Sequence, residues 1–200
     1  IGNYTTNDRS DVTVDAYYGI GVYIPGSYTL IYYSNVTGGG YEGVVVSGSY
    51  TTIYGSRIVG YGDGVYILGS HNNVTDSYVV GDNGAGVFIT GSYNTVYRST
   101  IAGNGGSGVY IAGSNTTIYY SNVTGRGYYG AYVWGNDTTI YGSTIVGHGD
   151  GINITGSNTT VYRSTIAGGN DGIYINGSNN NITDSYVAGG NGSGILIYGS

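Results

Sequence analysis

The side chains best placed to do chemistry are three aspartates, each directly before a recurring glycine: Asp63, Asp150 and Asp171 precede Gly64, Gly151 and Gly172. Asp150 and Asp171 lie 21 residues apart, the interval that also separates their glycines. If each interval is one turn of a stack, the two carboxylates sit about 5 Å apart on adjacent turns. Such a pair can hold a cation or raise one pKa. Asp-Gly is equally ordinary turn chemistry, which accounts for the same positions. Asp76 and Asp184 share a column but lie five coils apart, Arg98 and Arg163 lie three coils apart, and His71 and His148 fall in different columns. Neither a Ser-His-Asp set nor a His-Asp metal set assembles on one face. Every coil is near minimal length, which leaves no wall for a pocket. On these grounds the sequence predicts a chain that is not an enzyme, with no catalytic or metal residue and no cofactor.

The elements that must position these residues are repeats. Gly followed by aliphatic, usually aromatic, aliphatic occurs at Gly21, Gly43, Gly64, Gly86, Gly108, Gly130, Gly151, Gly172 and Gly194, at spacings of 21 or 22. That regularity means one structural unit per repeat, each stacked on its neighbours. In the coil from Gly108 to Gly125, period-2 alternation points Val109 and Ile111 inward and Tyr110 outward. Gly113 and Ser114 turn the chain. Ile118 points in, and Ser121 and Val123 point in further on. The three-residue step from Ile118 to Ser121 implies a corner with two outward residues.

Stacking copies these columns into four aliphatic ladders, exemplified by Val109, Ile111, Ile118 and Val123. A polar column, Ser34, Ser56, Ser77, Ser99, Ser121, Ser143, Ser164 and Ser185, runs among them. A hydroxyl both donates and accepts, so this ladder is read as packing that satisfies itself inside the stack. A longer period also shows: Tyr28 to Gly43 resembles Asn115 to Gly130, offset by 87 residues. The division expected is a partial coil over 1–20, eight regular coils over 21–193 and an open coil over 194–200.

Composition agrees with strand and excludes other classes. There are 41 Gly and 26 Tyr with no Cys or Met, and Thr, Val and Ile fill much of the rest. So much Gly without a G-X-Y period is not collagen. Only 8% of residues are charged, with net charge −6, so the basic stripe of a nucleic-acid binder is missing. No apolar run approaches the roughly 18 residues of a membrane span.

The coil length, the Gly-aliphatic-x-aliphatic strands and turns such as Gly177-Ser-Asn-Asn-Asn181 resemble the pectin-lyase-like superfamily, and in texture the surface β-helix proteins of archaea and bacteria. The resemblance runs from Gly19 to Ser200. It implies an all-β, right-handed, single-stranded parallel β-helix of about eight or nine coils. It also implies a choice of functions, since that superfamily holds lyases, hydrolases, adhesins and structural proteins.

Two outward features bear on that choice. Tyr32, Tyr54, Tyr97, Tyr119, Tyr141 and Tyr162 form one ladder; Tyr23, Tyr66, Phe88, Tyr110, Tyr132 and Tyr174 form most of another. They serve either as cross-strand stacking or as a sticky face for polysaccharide or a second subunit. Asn-x-Ser/Thr occurs at Asn3, Asn35, Asn73, Asn115, Asn122, Asn136, Asn153, Asn158, Asn176, Asn181 and Asn191, an excess that predicts N-glycans on a secreted, cell-surface protein. The chain begins at Ile1, compatible with a removed leader or a partial chain, and ends in mid-coil.

Gly2 to Ser10 has the spacing of Gly91 to Ser99, with Tyr4 at Tyr93, Thr6 at Thr95 and Val12 at Ile101. One chain would thus continue another, with a joint made by Gly2, Tyr4, Thr6 and Val12 against Ile195, Leu196, Ile197 and Tyr198. The favoured expectation is an extracellular structural protein that polymerises head to tail into a glycosylated filament or coat. A carbohydrate-binding or adhesive module using the Tyr ladders is the alternative, and a polysaccharide lyase the third. An ice-binding face along Thr52, Thr95, Thr117, Thr139 and Thr160 is disfavoured by the bulky Tyr column beside it.

Overall fold

The structure, a computed structural model, describes residues 5–16 and 18–199. Its strands form three sheets of nine strands each, all parallel, and the described residues contain no helix. One coil contributes one strand to each sheet, as in Val109–Ile111, Thr117–Tyr119 and Asn122–Gly125. The first sheet runs from Thr5–Asp8 to Asn181–Thr183, the second from Asp11–Val14 to Tyr186–Gly189, and the third from Val22–Ile24 to Ile195–Ile197. The architecture is an all-β parallel solenoid, as the repeat predicts.

Register is kept without slippage, because a one-residue shift would turn every core side chain outward. Ile111 pairs with Ile89 and Val133, Ile118 with Val96 and Ile140, and Val123 with Ile101 and Ile145. The four aliphatic ladders are one continuous buried core, with Val12, Val22, Ile182 and Val187 packed at its ends. The serine column satisfies itself through the backbone: the Ser99 N–H donates to Ser121 Oγ at 3.2 Å, and the Ser99 hydroxyl donates to the Tyr97 carbonyl at 2.9 Å.

Three features lie beyond the reach of pattern. The first is why the anchor is glycine. A Cβ on Gly108 would lie 2.5 Å from Val123 Cγ1 and 2.7 Å from the Gly130 carbonyl oxygen of the next coil. The residue is needed for close backbone approach.

The second is the corner. Tyr120 (φ 52), Arg98 (φ 46), Asp76 (φ 49) and their column mates sit in the left-handed region, which explains the three-residue step. A second left-handed column holds Tyr28, Tyr50, His71, Tyr93, Asn115, Asp137, Asn158 and Asn179. Such residues carry a steric cost of about 1–2 kcal/mol each. Stacking of Tyr28, Tyr50, His71 and Tyr93 at centroid separations of 4.9–5.0 Å offsets part of it.

The third is a buried polar column at the turn. Asn72 Oδ1 accepts the Thr51 N–H at 2.7 Å, and Asn94 Oδ1 accepts that of Asn72 at 2.8 Å. Of the threonines in this column, Thr29 and Thr116 donate to the Gly26 and Gly113 carbonyls, while the hydroxyls of Thr51, Thr138 and Thr159 are buried without a partner. A buried unsatisfied hydroxyl costs about 1–3 kcal/mol. Thr138→Val, which keeps the shape, should therefore raise the thermal midpoint by a few degrees; a fall would show that the hydroxyl is bonded.

Candidate functional site

From Gly43 to Gly172, the position before the anchor glycine reads Glu42, Asp63, Ala85, Ser107, Tyr129, Asp150 and Asp171 in consecutive coils. Two small residues therefore lie between an acid and an aromatic. Beside them the outward row of the third sheet reads Tyr66, Phe88, Tyr110 and Tyr132. The result is a cleft of about 490 Å³ lined by Asp63, Ala85, Phe88, Gly106, Ser107, Tyr110, Tyr128, Tyr129 and Tyr132. That lies within the roughly 300–1,000 Å³ of small-molecule sites. Its wall comes from the turn after Gly125, where Tyr128 stands 63% exposed and Tyr129 stacks on Tyr132 at 5.4 Å. Arg126 of the same turn donates to Asn104 Oδ1 at 2.9 Å, and Asn104 donates to Asp82, tying three successive turns together.

The aromatic rows differ in what they offer a ligand. In the column Tyr28, Tyr50, His71 and Tyr93 the rings are parallel within 5°, so each covers its neighbour's face and presents edges outward. Tyr32 with Tyr54 and Tyr141 with Tyr162 are also stacked, at 14°. Along the row that floors the cleft the geometry is mixed: Tyr66, just beyond it, meets Phe88 at 90°, Phe88 and Tyr110 stack at 6°, and Tyr132 tilts 51° from Tyr110; edge contacts also occur at Tyr33–Tyr54 and Tyr120–Tyr141. The cleft is thus floored by the half-buried rings of Phe88, Tyr110 and Tyr132, with Tyr129 stacked on Tyr132 at its wall.

Asp63 is the acid that lines it. Its Oδ1 accepts the Ala85 N–H at 2.7 Å. Burial pushes its carboxyl above the usual carboxylate range, the negative charge of Glu42 adds to that, and the Ala85 bond opposes it. Burial also raises the Tyr110 and Tyr129 hydroxyls, with the charge of Tyr132 adding for the former and of Asp150 for the latter. The folded state thus holds the Asp63 proton to higher pH than the unfolded chain does. The contribution of this group to stability is greatest below the ordinary carboxylate pKa and is lost as pH rises through the raised one. Asp63→Asn should accordingly stabilise the protein at pH 7 relative to pH 3, measured as the change in denaturation midpoint between the two.

The other predicted residues are spread over the solenoid. Asp150 is buried; its carboxylate accepts the Asp171 N–H at 3.3 Å and the Asn153 amide at 3.0 Å, while Asp171 accepts the Ser193 N–H at 2.6 Å. These two acids tie one turn to the next, and among the described residues no three His, Cys, Asp or Glu converge to hold a metal. Asp76 and Arg98, on adjacent coils, form an ion pair at 2.7 Å that the column reading did not anticipate.

Of the sequon asparagines, Asn35, Asn115, Asn122, Asn136, Asn158, Asn176, Asn181 and Asn191 are exposed and Asn73 is half-buried. Asn153 differs from the rest: it is 7% exposed and its amide donates to Asp150 Oδ2 at 3.0 Å, so a glycan there would have to displace that contact. Asn3, Gly2 and Tyr4 lie outside the described residues. Thr6 and Val12 lie in strands paired with Thr29–Tyr32 and Asn35–Gly38, and Ile195, Leu196 and Ile197 form the last strand of the third sheet, followed by exposed Tyr198.

Comparison with known proteins places this geometry. Residues 3–145 and 85–200 match the family described as right-handed beta helix region. No curated protein sequence matches the chain. Among solved structures, the Azotobacter vinelandii mannuronan C-5 epimerase AlgE4 A-module is similar with a TM-score of 0.80 at 15% identity, over 97% of this chain and 62% of that one. Pectate lyase Pel9A follows at 0.70 and 16%, over 88% and 61%, and the Dettilon tailspike protein at 0.73 and 15%, over 90% and 43%. The chain spans about three-fifths of the length of the first two.

At these identities the likeness is one of fold. It nonetheless overturns the expectation that the chain is not an enzyme, because the same fold carries a lyase and an epimerase. The physical premise of that expectation fails too, since the Arg126 to Tyr129 turn supplies the missing wall. The small residues at Ala85 and Ser107, set against Tyr129, were the sequence signal for the cleft. From residue 3 to residue 200, the chain belongs to the right-handed beta helix family.

Proposed function

We propose that the protein binds a glycan in the cleft over Tyr110 and Tyr132. The observation that carries this reading is the cleft itself, a concave site floored by Phe88, Tyr110 and Tyr132 beside a carboxyl at Asp63 that can bond hydroxyls. A flat aromatic face packs against the C–H face of a sugar ring, and a few placed polar groups orient it. The fold's occurrence in a pectate lyase and a mannuronan epimerase supports the reading. The test is retention of the purified chain on immobilised polysaccharides. Retardation on at least one glycan, relieved by its free oligosaccharide, supports it; elution with an inert protein on every matrix contradicts it.

Catalysis on the bound glycan is a second reading, favoured by the Asp63 carboxyl lining the cleft, with Glu42 adjacent in its column. New reducing ends or unsaturated products from a retained polymer would carry it, and their absence with binding intact would sink it.

Head-to-tail stacking into a filament is a separate reading. Ile195 and Ile197 occupy ladder positions that are buried in every coil from Gly43 to Ile175, yet are 42% and 61% exposed. A further coil, from this chain or a second copy, would cover them. Sedimentation of the purified chain across concentrations decides between growing polymers and a constant monomer.

A further inference from the structure

We propose, resting on the glycan reading, that the cleft selects uncharged glycans and rejects polyuronates. The column that forms its rim places an acid at each end: Asp63 lines the cleft on one side of Ala85 and Ser107, and Asp150 follows Tyr129 on the other. Both ends are held in place. Asp63 is fixed by the Ala85 N–H, and Asp150 by the Asp171 N–H and the Asn153 amide. Glu42 lies one coil beyond Asp63, and Asp171 one coil beyond Asp150, in the same column.

The cation of the framing turns, Arg126, is directed at Asn104, which in turn donates to Asp82. A uronate carboxylate laid along the aromatic floor would therefore approach the Asp63 carboxylate, with Asp150 buried behind Tyr129 adding to the negative field, and no arginine or lysine lining the cleft to meet it. Like-charge juxtaposition of this kind is a repulsive element that sets specificity. The hydroxyls of an uncharged sugar have no such conflict and find acceptors in Asp63 and donors in the Tyr hydroxyls.

The experiment titrates the intact chain, at pH 7 and low salt, with two uncharged oligosaccharides, a β-1,4-glucan and a mannan fragment, and with oligogalacturonate of equal length. Binding of an uncharged probe at least about tenfold tighter than oligogalacturonate is expected, a ratio worth about 1.4 kcal/mol. In Asp63→Asn, which keeps the acceptor for Ala85, that ratio should shrink about threefold or more through tighter oligogalacturonate binding. If oligogalacturonate binds as tightly as the uncharged probes or tighter, the selectivity is overturned while glycan binding stands. If none of the three binds but another glycan is retained on a column, the selectivity falls alone; if no glycan is retained at all, both fall.

Discussion

Gly108→Ala should lower stability by about 3 kcal/mol, and the thermal midpoint by about 10 °C, although it adds a single methyl group. The new Cβ would stand 2.5 Å from Val123 Cγ1, 2.7 Å from the Gly130 carbonyl oxygen and 2.9 Å from the Thr124 carbonyl carbon. Two of these three atoms are backbone, and they belong to neighbouring strands locked into ladders. Relief requires adjacent coils to part, and strands about 4.8 Å apart cannot part without losing hydrogen bonds. In a solenoid each coil leans on its neighbours alone, so the damage should open the stack at this coil and not dissipate. Gly26→Ala is the control. A Cβ there meets nothing within 4 Å, so its midpoint should move little. Thermal melts followed by far-ultraviolet circular dichroism separate the two. Equal midpoints would mean that the anchor glycine is not a contact residue.

Tyr110→Ala should weaken glycan binding by tenfold to a hundredfold, about 1.4–2.7 kcal/mol, while the fold persists. Its ring is outward, between the Phe88 face it stacks on at 4.4 Å and the tilted Tyr132 at 4.9 Å, so its removal takes the middle of the floor. Tyr50→Ala removes a ring of the same size from a row that shows edges to solvent, between Tyr28 and His71. It should cost stability through lost stacking and leave binding unchanged. Calorimetric titration of both variants with the retained oligosaccharide checks this; equal losses would mean that any exposed tyrosine suffices.

Fold and site differ in how far they were legible from sequence, and the difference is physical. Core ladders such as Val87, Val109 and Ala131 recur because stacking repeats the same environment every coil, so period and alternation carry them into the sequence directly. The serine column is legible for the same reason. The site arises from departures from that repetition. Ala85 and Ser107 read as turn residues, and they matter because Tyr129 follows them in the column; no window along the chain brings those three together.

Ring orientation is another quantity the sequence does not encode. Tyr110 and Tyr50 look equally outward, yet one stack is broken by Tyr132 and the other continues through His71. The buried state of Asn153 is likewise not written in its sequon: its amide donates to Asp150, and the amides of Asn35 and Asn158 also donate to aspartates while those residues stay exposed. Catalysis was excluded partly on coil length, and the four-residue turn from Arg126 to Tyr129 proved enough for a wall.

The most direct test of the cleft assignment is a backbone-amide nuclear magnetic resonance titration, suited to a chain of 20.7 kDa, with an oligosaccharide of the retained glycan. Shifts clustered at Asp63, Ala85, Ser107, Tyr110, Tyr129 and Tyr132, leaving the Tyr28 to Tyr93 column still, are the predicted result. Shifts centred on that column or on the Tyr97 and Tyr119 face, or no shifts at saturating ligand, would contradict it.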